Sequence, residues 1–120
     1  MADRPVKARL SELPTEDVRP GVSRSGFGTE RALLVLNRLE PEMEVVPHSH
    51  DFDQIALVLE GTVRFTVDGD AFDVGQGEAL LIPANAEHAG EVVGDVPALN
   101  LDVFAPARAD YLHLLDWMEH

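Results

Sequence analysis

The sequence predicts an all-β domain, a sandwich or barrel of short antiparallel strands. Apolar segments of strand length recur at a spacing of roughly 8–12 residues, a rhythm typical of such folds. Gly, Pro, Asn and Asp separate these segments. One segment alternates strictly: Val63, Phe65 and Val67 interleave with Thr62, Arg64 and Thr66, and the run ends in Asp68-Gly69. That dipeptide tolerates the positive φ angles of a two-residue hairpin turn.

Residues 1–30 carry Pro5, Pro14, Pro20, Gly21, Gly26 and Gly28 and read as an extended arm with room for one short strand. The barrel is expected over 31–107. Its first strand is RALLVLNRL (31–39). Pro41 and Pro47 then bracket a turn. HDFDQIALVLEG supplies a strand running into Gly61, and AFDVGQGEALLIPANAEHAG reads as a short strand, a Gly-rich turn, an apolar strand and a Pro turn. ALNLDVFAP is a last long strand. On it Asn100, Asp102 and Phe104 share one face and Leu101 and Val103 the other. The aliphatic face is expected in the core with Ile55, Leu57, Leu59 and Leu81, and the polar face lines either a pocket or solvent. Residues 108–120 predict a short C-terminal α-helix, because Tyr111, Leu114, Leu115 and Met118 recur at i, i+3, i+4 and i+7. It is expected to pack on the outside of the barrel.

Composition narrows function. The 120 residues suit one domain, and a core of that size gains from oligomer formation. Cysteine is absent, which excludes disulfides and thiolate metal sites. A net charge of −13 argues against a nucleic-acid partner and requires a local cationic site for any acidic substrate. No apolar run approaches the roughly 20 residues of a membrane helix, and MADRPVKARLSELP has no apolar signal core, so a cytoplasmic protein is expected.

Five histidines are present: His48, His50, His88, His113 and His120. On a strand, His48 and His50 project from one face and make half of a metal site, although such a pair is equally at home as an incidental feature. The same parity leads to Gln54; Asp53 reaches that face only through a bulge. His88 follows an apolar strand and a Pro83-x-Asn85 turn, well downstream of the pair, and only the fold can bring it near them.

The two segments together resemble the cupin superfamily. Its first motif, G-x5-H-x-H-x3-E-x6-G, is similar to His48-x-His50-x3-Gln54-x6-Gly61, and its second, G-x5-P-x-G-x2-H-x3-N, to Gly77-x5-Pro83-x-Asn85-x2-His88. The segment between them, 62–76, matches the short spacing of small bacterial cupins. The resemblance implies a double-stranded β-helix, or jelly-roll, barrel. It also implies one divalent transition metal ion (Zn, Ni, Mn, Fe or Co) held by His48, His50, Gln54 and His88. Three departures stand out. Glu42 and Asn85 occupy glycine positions, and Gln54 replaces the glutamate ligand, leaving a neutral donor set around a +2 ion. LDVFAPARADYL resembles the closing segment of a subset that includes the pectin-degradation cupins, which open 4,5-unsaturated galacturonate to its linear keto form. That resemblance implies catalytic roles for Asp102, Phe104 and Arg108: proton transfer, an apolar wall and a carboxylate clamp. An ion pair with a neighbouring carboxylate is the plainer role for Arg108.

The function expected is a metal-dependent isomerase, lyase or cyclase acting on a small oxygenated acid or sugar, as a homodimer. A non-haem iron dioxygenase and a non-catalytic small-molecule-binding cupin are the alternatives. His113, His120 and Arg64 are expected in solvent. Arg31 and Asn37 are candidates to line the barrel, and Trp117 and Tyr111 are expected to serve packing or a dimer contact.

Overall fold

The computed structural model describes residues 4–118. After a 3-10 turn at Leu10–Glu12 come nine strands: β1 (Glu16–Arg19), β2 (Val22–Gly28), β3 (Leu33–Leu39), β4 (Gln54–Glu60), β5 (Thr62–Val67), β6 (Asp70–Gly75), β7 (Ala79–Ile82), β8 (His88–Val92) and β9 (Ala98–Phe104). They form a six-stranded antiparallel sheet in the order β1-β2-β3-β9-β4-β7 and a three-stranded sheet in the order β6-β5-β8. Residues 16–28 thus supply two strands, more regular structure than their Pro and Gly content suggests. The β5–β6 hairpin turns at Asp68 (φ 47°) and Gly69 (φ 89°), both in the left-handed region that such a turn requires.

The burial pattern sorts the six-stranded sheet into two faces. Leu33, Val35, Asn37 and Leu39 of β3, Gln54, Ala56 and Val58 of β4, and Ala98, Asn100, Asp102 and Phe104 of β9 point inward. One apolar cluster, including Val22, Leu39, Val58, Val63, Phe65 and Ile82, fills one end of the barrel. A second, of Leu33, Val35, Phe104 and Leu114, fills the other. Asn37, Asn100 and Asp102 form a polar layer between them.

The aliphatic face of β4, β7 and β9 is the outer one. Ile55 is 44 % exposed and Leu81 62 %, which corrects the expectation that these two side chains pack in the core, whereas Leu101 on the same face is buried. Parity put them opposite Gln54 and Asp102, and the interior claimed the polar set.

The described residues end in a 3-10 helix, Ala109–Met118, where the sequence predicts an α-helix. With three residues per turn, Tyr111, Leu114 and Trp117 fall on one line, and all three meet the barrel, as does Leu115. Leu114 enters the second inner cluster, and Trp117 Nε1 donates to the Gly26 carbonyl at 3.0 Å. Gly26 makes the approach possible: a Cβ there would lie 2.6 Å from the Leu114 Cβ. The segment therefore closes over the inner end of the barrel instead of lying outside it. No helix among the described residues is long and apolar enough to cross a membrane.

Candidate metal centre and cavity

His48 and His50 lie in the irregular segment before β4, and His88 opens β8. His48 and His88 exchange both backbone hydrogen bonds as an isolated bridge, N–H to O at 2.9 and 2.8 Å, which draws two segments distant in the sequence into one cluster. The Pro83–Asn85 turn is tied to the same place. Asn85 adopts φ 70°, and its N–H donates to the His50 carbonyl at 2.6 Å. Asp53 accepts the Ala84 N–H at 2.9 Å, so it braces this turn and stands outside the histidine cluster.

The donor atoms of His48, His50 and His88 all lie within 4.8 Å of one another. Their tautomers follow from their partners. Each Nδ1 faces a backbone carbonyl: Val46 for His48 (3.2 Å), Phe52 for His50 (2.9 Å) and Ala86 for His88 (2.9 Å). A carbonyl only accepts, so Nδ1 carries the proton and each Nε2 presents a lone pair. His88 is 4 % exposed and its Nε2 has no hydrogen-bond partner. Gln54 Oε1 stands 3.1 Å from His50 Nε2. The Gln54 amide also interacts with Asp102, whose carboxylate takes a donor, so the amide NH2 turns that way and Oε1 turns to the histidines. Two acceptors facing each other, beside an orphaned buried lone pair, lack a shared positive partner. The residues present therefore fit a divalent cation, with three imidazoles and one amide oxygen as donors.

Asp102 sits on β9 opposite Val35 and Ala56. It accepts from Asn37 Nδ2 at 3.0 Å and Asn100 Nδ2 at 2.8 Å. Burial pushes its carboxyl above the usual range, against the lowering effect of the Asn100, Gln54 and Asn37 amides. Burial also lowers the pKa of His48 and of His88; for His48, Arg108 and Arg19 add to that effect. Both rings are thereby kept neutral and ready to ligate.

Phe104 is buried, with its ring edge-on to His50 (centroids 6.2 Å) and Phe52 (5.6 Å). Arg108, 12 % exposed at its side chain, forms a bidentate pair with Asp110 (2.9 and 2.8 Å) and lies 3.7 Å from the Tyr111 ring centroid. It thus has the neighbouring ion pair and also lines the cavity. The cavity, of about 100 Å³, reaches His48, His88, Gln54 and Asp102.

Of the lesser candidates, Asn37 lines the cavity, whereas Arg31 is exposed. Arg64 is exposed and paired with Asp73. His113 is exposed and bonds Glu16, and His120 lies outside the described residues. Trp117 packs on Phe27 (centroids 6.1 Å), while Tyr111 lines the cavity together with Arg19 and Arg24. Neither arginine belongs to a motif. The sequence signal for Arg24 is its parity with the inward Val22, visible only once β2 is known to be a barrel strand.

Residues 35–104 match the cupin domain model. The chain is a cupin. It is 29 % identical to the pectin degradation protein KdgF of Dickeya dadantii over 103 residues, covering 84 % of this chain and 93 % of that one. It is 27 % identical over 112 residues to a 5-nitrosalicylic acid 1,2-dioxygenase of a Bradyrhizobium species, covering 92 % of this chain and 54 % of the dioxygenase. The structure of KdgF from a Halomonas species superposes with a TM-score of 0.76 at 28 % identity, covering 85 % of this chain and 94 % of that one. Other curated relatives are longer: the cupin spans 35 % of a RhaS transcriptional activator and 46 % of a dimethylsulfoniopropionate lyase.

Proposed function

We propose that this cupin holds one divalent transition metal ion through His48, His50, Gln54 and His88 and works as a metal-dependent isomerase-, lyase- or cyclase-type enzyme on a small oxygenated acid, with a 4,5-unsaturated uronate as the leading substrate. The observation that carries this reading is the Asp102 carboxylate in the same cavity as His48 and His88, two of three clustered imidazoles whose Nε2 lone pairs are unspent. The similarity to KdgF over nearly the whole of both chains supports the substrate class. When bound, the ion supplies Lewis acidity toward a hydroxyl or carbonyl oxygen.

The chain's own groups supply the rest. Opening an unsaturated uronate ring removes a proton from the anomeric hydroxyl, breaks the ring C–O bond and adds a proton to carbon 4. Substrate and product are isomers, and no electrons are exchanged with a partner. Asp102 is the proton carrier: burial raises its affinity for a proton, and the Asn37, Asn100 and Gln54 amides stabilise the ionised form, so both states are accessible. Phe104 walls the cavity with an apolar ring. Arg108 keeps Nη1 for a substrate oxygen while Asp110 holds its Nε and Nη2.

The test is incubation of metal-loaded protein with 4,5-unsaturated galacturonate. The ultraviolet absorbance of the unsaturated acid should decay faster than in the blank, and decay at the blank rate with stoichiometric metal bound would rule the substrate out. A second reading, ring-cleaving dioxygenation, is favoured by the 27 % identity to the nitrosalicylate enzyme. Oxygen uptake by iron-loaded protein with a hydroxybenzoate would support it.

A further inference from the structure

The chain carries 22 acidic and nine Lys or Arg residues, yet three arginines line its metal-site cavity: Arg19, Arg24 and Arg108. Arg19 and Arg24 come from the β1–β2 hairpin, and Arg108 from the turn before the C-terminal helix. Arg24 is 17 % exposed at its side chain; its Nε donates to Glu16 at 2.7 Å, and its guanidinium lies 4.1 Å from the Tyr111 ring centroid. Tyr111 thus carries Arg24 as well as Arg108 on its ring. Arg19 donates its Nε to the Glu44 carbonyl at 2.9 Å and has no carboxylate partner among the described residues. By contrast, Arg38, on the adjoining β3, is 59 % exposed at its side chain and paired with Glu40. In a protein so rich in carboxylates, an arginine without one at the mouth of a cavity is a cation kept for something else.

We propose that Arg19 and Arg24 form an anion-binding wall of the cavity, which selects substrates whose carboxylate lies away from the atoms that meet the histidine cluster. With Nε of each arginine held by the protein, the terminal nitrogens form a preset donor edge, which suits a planar carboxylate. Glu16 orients Arg24, and His113, bonded to both Glu16 oxygens at 2.9 and 3.1 Å, orients Glu16. The inference rests on the reading of this cavity as a site for oxygenated acids, and it enlarges the carboxylate-binding set beyond Arg108.

The test is calorimetric titration of zinc-loaded protein with D-galacturonate, its neutral methyl ester and succinate. D-Galacturonate should bind at least about tenfold more tightly than the ester, the scale of one charge-assisted hydrogen bond. Arg19→Gln and Arg24→Gln should each weaken galacturonate about tenfold and leave the ester and the zinc stoichiometry unchanged. Arg24→Lys guards against loss of packing on Tyr111, and Arg38→Gln, which removes the same charge outside the cavity, should change nothing. Equal losses for acid and ester, or wild-type affinity in both Arg19→Gln and Arg24→Gln, overturn the wall. Succinate separates the two readings. Arginine-dependent succinate binding without galacturonate binding sinks the uronate reading and leaves the wall standing. Absence of binding by both acids overturns the wall.

Discussion

Gly26→Ala isolates how the C-terminal helix is seated. The added Cβ would stand 2.6 Å from the Leu114 Cβ, about 0.8 Å short of ordinary contact at 3.4 Å. Both atoms sit one bond from the backbone, so no rotamer change relieves the clash; the 3-10 segment must move off β2. Overpacking of this kind costs about 1–3 kcal/mol. Alanine returns about 0.4–1 kcal/mol by restricting the unfolded chain, since Gly26 does not use a left-handed backbone. Taking the middle of each range, the net loss is about 1.3 kcal/mol, which lowers the melting temperature by about 4–8 °C for a domain of this size. The assay is thermal unfolding of metal-free protein by circular dichroism. The residues proposed to hold the metal lie on other elements, so zinc stoichiometry should hold. Leu114→Gly removes the colliding atom, so in that background Gly26→Ala should cost almost nothing more. A melting point within about 1 °C of wild type for Gly26→Ala alone, or full additivity in the double variant, would refute the seating.

Other outcomes follow from the same geometry. His88→Ala and His48→Ala should abolish zinc uptake measured by elemental analysis, and Gln54→Ala should weaken it about 10–100-fold; full retention in either histidine variant would remove that residue from the donor set. Asp102→Asn should keep the metal and lose turnover of unsaturated galacturonate, and normal turnover would reduce Asp102 to a structural role. The pKa values of His48 and His88 are lowered in the folded state, so below about pH 6.5 the unfolded chain binds protons that the folded chain refuses. Because the raised pKa of Asp102 acts in the opposite direction, the test is made in the Asp102→Asn background: stability of that metal-free variant, read by urea unfolding, should be full above that pH and decline as pH falls toward the folded-state values, and a flat profile from pH 7 to 5 would contradict it. A homodimer assembled through the outer aliphatic face should separate into monomers on Leu81→Lys, as seen by light scattering, and a monomeric wild type would dispose of the dimer.

The fold was legible because it depends on local rules. Alternation in Thr62–Val67 and the Asp68-Gly69 turn each restrict a few neighbouring residues, and the structure follows them. The errors arise where a rule leaves two solutions. Parity pairs Ile55 with Leu57 and Leu81 with Ala79 but does not say which face is inside, and hydrophobicity points the wrong way when the interior must also hold Gln54, Asn100 and Asp102. The histidine cluster shows the same division. His48 and His50 are visible as a pair, whereas His88 joins them only through two backbone hydrogen bonds between segments distant in the sequence.

The cavity's cationic wall lies furthest from sequence reasoning, and the reason is physical. Arg24 is set by the register of β2 against β3, where it stands opposite Asn37. Asn37 in turn donates to Asp102. A strand in a segment with Pro20, Gly21, Gly26 and Gly28 has weak intrinsic preference, and its register is imposed by the sheet it joins. Gly26 reads as a strand breaker until the opposing Leu114 is known; it is then the position that lets the C-terminal helix close over the barrel and bring Tyr111 between the sheet and Arg108. The same glycines that obscure β2 in the sequence therefore permit the close approach that completes the cavity.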